Sequence, residues 1–191
     1  MRNNITKNWE EIYQKWFNLK KDFSAIKVPE NYNPKKHFAV IVAQGLTINE
    51  VVVAMRKKFE VYLYTEDLDI VVNKNDRAAE GGDYIVLFYK NIEADEEFKN
   101  LSANQLKDKG HKGITLMERL LLEALYFDKT KKHLDMENVT LCDGSSCSAG
   151  GVPGIFWFSS GDELYVLWSL PSSSRGHLRS RAVVFSSPYY F

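Results

Sequence analysis

The feature that most constrains this chain is a pair of short segments, residues 154–158 (GIFWF) and 164–169 (LYVLWS), apolar at nearly every position and joined through a Ser/Gly turn. Strand side chains alternate with a period of two. Ile155 and Trp157 therefore point one way and Gly154, Phe156 and Phe158 the other, while Leu164, Val166 and Trp168 are split from Tyr165, Leu167 and Ser169. One face of each strand must be core. A chain this small seldom builds a second large core, so the other face is expected to be a binding surface.

The 191 residues suffice for one domain with an attached segment. Acidic and basic residues number 25 each, so the zero net charge gives no electrostatic reason to expect nucleic acid or an anionic membrane as partner. Aromatic residues make up 13% of the chain, a high share that the two segments help explain. No apolar run reaches the ~18 residues of a membrane helix, so no membrane insertion is expected. The opening MRNNITKNWEEIYQKW lacks the apolar centre of a signal peptide. Synthesis in the cytoplasm is expected, with the final location, including association with a virion or a cell surface, left open. Cys142 and Cys147 are too few for a disulfide scaffold and leave three states open: free thiols, a local disulfide, or half of a metal site.

Residues 6–21 read as an amphipathic helix, with Trp9, Ile12, Tyr13, Trp16 and Phe17 on one stripe and Thr6 as N-cap. Such a helix can be a mobile arm, an oligomerisation element, or part of the core. A strand is expected at 37–42, a helix capped by Thr47 and Glu50 at 47–58, and strands at 60–64 and 83–89. Asp67, Asp69, Asn75 and Asp76 lack the spacing of a calcium loop and read as turn and capping residues. Ser102 with Gln105 caps a short helix ending near Gly110, and Thr115 with Glu118 caps a helix at 116–127, apolar around much of its circumference. Short strands and loops follow, closing on residues 181–185 (RAVVF) and the aromatic tail Tyr189, Tyr190 and Phe191. Helices do not alternate regularly with strands, so the class is α+β. The division expected is an N-terminal helix and linker at 1–36 followed by a domain at 37–191.

Cys142 or Cys147 with His133 or His177 supplies the residue types of a thiol–imidazole pair or a zinc site, but the sequence does not bring them together. Gly150, Gly151 and Gly154 fit no phosphate-loop spacing. Arg175, Arg179 and Arg181 are expected to pair with carboxylates or loop carbonyls.

The succession TLCDGS, GVPGIFWFSSGDELYVLW and LRSRAVV resembles the variable region of diversity-generating retroelement variable proteins, whose C-type-lectin-like fold is related to the formylglycine-generating enzymes. The resemblance covers the last third of the chain well and the middle helices loosely. It implies helices packed on short antiparallel sheets and a variable region at about 144–181. It also implies that adenines in AAY codons are randomised to NNY, which never encodes Trp, Glu, Lys, Gln or Met. Between Gly144 and Arg181 those types occur only at Trp157, Glu163 and Trp168. Cys147, Gly154, Phe156, Phe158, Tyr165, Leu167, Ser172, Ser173, Ser174, Gly176 and His177 are all permitted, and the resemblance makes them the ligand-binding positions. The Glu-Pro-Asn, Gln-Pro-Asp and Trp-Asn-Asp signatures of calcium-dependent sugar binding are missing, as is a formylglycine-type cysteine context.

The expectation is a non-catalytic protein, without cofactor or metal, whose hypervariable face recognises protein or cell-surface ligands. An enzyme of the formylglycine-generating or another thiol- or metal-dependent type using Cys142 and Cys147 is the alternative. A permanent dimer interface on the same face is the third reading.

Overall fold

The computed structural model describes residues 3–184. In chain order the elements are α1 (Asn3–Ile12), β1 (His37–Val42), α2 (Ile48–Arg56), β2 (Glu60–Leu63), α3 (Leu68–Val71), β3 (Val72–Asn75), β4 (Tyr84–Tyr89), α4 (Ala103–Asp108), α5 (Leu116–Thr130), β5 (Val139–Leu141), β6 (Ser145–Cys147), β7 (Val152–Phe158), β8 (Glu163–Ser169) and β9 (Leu178–Arg179). The class is α+β. Among the described residues no helix is long and apolar enough to cross a membrane.

The helix starts are built as their sequences dictate. Thr47–Glu50, Ser102–Gln105 and Thr115–Glu118 each form a reciprocal capping box at the head of α2, α4 and α5. Each box satisfies two backbone N–H groups that the first helical turn leaves without a partner. Asp67 caps α3, and Asp69 accepts the backbone N–H groups of Ile48 and Asn49 at the head of α2. The first helix begins at Asn3, so Thr6 lies inside it rather than capping it. A wider π turn over Tyr13–Phe17 follows and ends at Asn18 in the left-handed region. The stripe packs inward: the Trp9 indole donates to Ala39 O at 2.8 Å, and the Tyr13 hydroxyl donates to Ile41 O at 3.0 Å and accepts from Ala43 N at 2.9 Å. Residues 3–17 thus share one core with β1, α2 and α5.

Three sheets are present among the described residues: β1–β4, β3–β6, and a five-stranded sheet in the order β2-β8-β7-β5-β9. The last is mixed rather than antiparallel, because β2 runs parallel to β8 and β9 parallel to β5. Long connections separate both pairs in sequence, so no hairpin imposes an antiparallel pairing. Residues 181–184 do not form the strand expected of RAVVF. Ala182 and Val183 make isolated bridges to Gly113 and Phe88, two different partners, and Arg181 turns into the interior. Phe185 and the aromatic tail lie outside the described residues.

α5 is the centre of the core, and its buried circumference includes charge: Glu118, Arg119 and Glu123 are enclosed with Leu120, Leu121 and Leu122. A buried ion cannot stand alone. Arg119 Nε donates to Asp135 at 2.9 Å and Nη1 to Glu123 at 2.8 Å, while Arg181 donates to Asp135 at 2.6 Å and to the carbonyls of Asn91 and Ile92. The Thr140 hydroxyl also donates to Asp135. Burial opposes ionisation of Asp135, but Arg181 and Arg119 outweigh it and hold its carboxyl below the usual range. Arg181 thus has the structural pairing expected of it, and Arg179 pairs with Glu96.

Candidate functional site

The five-stranded sheet turns Val61, Leu63, Ile155, Trp157, Leu164 and Val166 into the core. Its other face is a grid set by register. Glu60, Glu163 and Phe158 form one row and Tyr62, Tyr165 and Phe156 the next; Leu167 pairs with Gly154 in a third. In the middle row Tyr62 stacks on Tyr165 at 4.7 Å and Phe156 lies 5.3 Å from Tyr165, while Phe158 meets Tyr165 edge-on at 5.4 Å. The rings bury one another in part and leave the outside open: Phe158 is 39% exposed, Tyr62 46%, and Tyr64, just past the end of β2, 71%. α1 packs against β1 and does not cover this face.

Only half of the face is open. Toward β5, Val152 and Leu141 pack with Leu106 of α4 into a second small core flanked by Phe98, Leu101 and Ala103. Gly154 sits at that boundary and is buried: a Cβ there would lie 2.9 Å from Val139 Cγ1 and 3.1 Å from Leu167 Cδ1. Cys147 is also inside, its Sγ accepting the Gly151 N–H at 3.1 Å. Ser172, Ser174, Gly176 and His177 are exposed and Ser173 half-buried, on a loop anchored by Asn104 N to Pro171 O and by Val139 N to His177 O. That loop leaves the far end of β8, five residues beyond Tyr165, or about 16 Å along an extended strand. The structure therefore joins Phe156, Phe158, Tyr165 and Leu167 in one patch, sets the loop residues apart from it, and encloses Cys147 and Gly154.

Tyr62 was not among the expected site residues. The alternation of EVYL exposes it, but only the parallel pairing of β2 with β8 reveals that it stacks on Tyr165.

The cysteines are free thiols. Cys142 is fully buried in the main core, and burial pushes its thiol well above the ordinary range. His133 is occupied elsewhere, bonding Glu123 at 2.9 Å and stacking on Trp157 at 3.3 Å. Among the described residues no group of three or more His, Cys, Asp or Glu is placed to hold a metal ion. A second polar cluster lies just past β5, where the Ser180 hydroxyl donates to Asp143 and lies 2.9 Å from His111 Nε2. Burial raises Asp143 to about 7 and lowers His111. Ser180 is wholly buried, while His111 and Asp143 are half-buried beside it.

Comparison with protein-family models, curated proteins and solved structures gives no match to this chain.

Proposed function

We propose that this chain is a non-catalytic binding protein of C-type-lectin-like fold, diversified in the manner of retroelement variable proteins, whose open sheet face recognises a protein or cell-surface ligand. The observation that carries the reading is the contiguous patch of Tyr62, Phe156, Phe158 and Tyr165 on a sheet whose opposite face is solid core. Large rings on a rigid scaffold supply contact area at little conformational cost. The exposed serine and glycine loop at 172–177, set apart from the rings beyond the far end of β8, offers a second surface of adaptable polar contacts.

Replacing the codons of Phe156, Phe158, Tyr165, Ser172, Ser173, Ser174, Gly176 and His177 by NNY tests the proposal. Most members of the library are expected to melt close to the parent and to yield binders against unrelated protein targets. A library that is mostly unfolded would overturn the reading. Diversification has its own test: a second copy of the coding segment for 144–184, differing only at adenines, beside a reverse transcriptase gene.

A further inference from the structure

The open face is not merely apolar. Glu60 and Glu163 stand opposite each other in register on β2 and β8, in the row next to Tyr62 and Tyr165. Like charges on directly opposed positions are unfavourable. Among the described residues neither carboxylate has a Lys or Arg in ion-pair reach, although Lys57 and Lys58 lie in the turn just before β2. The chain as a whole is neutral, so this pairing does not follow from a general excess of acid.

The Glu163 carboxylate is also held in place. Tyr165 Oη donates to its Oε1 at 3.2 Å, drawing the charge back over the rings. Gly161 makes this possible, since a Cβ at that position would come within 2.7 Å of both Glu163 Oε1 and Phe158 Cδ1. The exposed Asp162 adds a third carboxylate at the same turn. A neutral or anionic ligand seated here would strip water from these carboxylates without replacing it. A cation compensates twice, by pairing with the carboxylates and by lying against the electron-rich ring faces.

We infer that this face takes a basic segment of a partner protein, an arginine or lysine head group lying over Tyr165 and Phe158 against Glu163, with Glu60 on the other side of Glu163 in the same row. The inference rests on the binding reading above and narrows it to one ligand class. Arginine suits the site better than lysine, because its flat guanidinium can stack on a ring and fork to a carboxylate together.

Calorimetric titration of the full chain with a short peptide of alternating Arg and Gly, and with counterparts carrying Glu, Ser or Leu in place of Arg, tests it. The Arg peptide should bind, and added salt should weaken it. The E60Q/E163Q double variant should lose about tenfold in affinity with a melting temperature no lower than the parent's, since it also relieves the like-charge pair, and Y165A/F158A should lose binding altogether. Equal affinity for parent and E60Q/E163Q would overturn the inference. Binding of the Leu peptide alone, lost in Y165A/F158A, would remove the cationic class and keep the binding face. No binding of any peptide, together with a dimer in sedimentation that Y165A/F158A dissociates, would overturn both in favour of contact between two copies of the chain.

Discussion

The two faces of the five-stranded sheet are built from the same strands and do opposite work. On the inner face Trp157 is 4% exposed, stacks on His133 at 3.3 Å and meets the edge of Phe59 at 5.7 Å. On the outer face Phe158, the next residue, is 39% exposed and meets the rings of Phe156 and Tyr165 only edge-on. One residue of chain separates a side chain that holds the fold from one that the fold merely carries. Aromatic content alone does not distinguish the two, since surface and core are both rich in rings.

The comparison breaks most directly at Trp157. Trp157→Ala should cost about 3–5 kcal/mol in denaturant unfolding, the range for emptying a filled core position. A loss under about 1 kcal/mol would mean that the inner face is not the main core.

Asp143, just past β5, probes the buried polar boundary. Its pKa is raised from 3.8 to about 7, chiefly by burial. Across that interval the folded chain keeps a proton that the unfolded chain has released, so this group's contribution to stability falls as pH rises from about 4 through 7. His111, lowered by burial, acts in the opposite sense below its ordinary value of 6.5. Asp143→Asn should remove the carboxyl's part of the decline, a change of up to a few kcal/mol between those pH values, read from unfolding midpoints. An unchanged slope would show that Asp143 ionises in the fold as freely as in the unfolded chain.

Gly154 tests where the outer face closes. Gly154→Val pushes against Val139 and Leu167 and should cost about 1–3 kcal/mol through overpacking. Full tolerance of Val would show that the covered half of the face yields as readily as the open half. The smallest effect is expected at Phe158, where Phe158→Ala should change stability by no more than about 0.5 kcal/mol, as for surface positions generally. A large loss would place that ring in a core.

Much of this was legible in the residues. The three capping boxes are encoded within four residues each, and the side-chain split of 154–158 and 164–169 follows from alternation alone. The apolar stripe of α1 indicated a buried side but not what would bury it. Legibility ended where partners come from distant sequence. Over the described residues 181–184, the strand expected of RAVVF gave way because Arg181 is drawn inward by Asp135 and by the carbonyls of Asn91 and Ile92, all far from it along the chain.

By itself, then, the sequence determined the starts of α2, α4 and α5, the α+β class and the existence of an apolar second face, because caps and periodicity are local properties of a backbone with fixed geometry. Only the tertiary structure decided what that face is. β2 arrives from about a hundred residues away to put Tyr62 on Tyr165 and Glu60 beside Glu163, and α4 closes over one half while leaving the other open. Strand order and coverage depend on contacts between segments far apart in the chain, and no short window of residues specifies them.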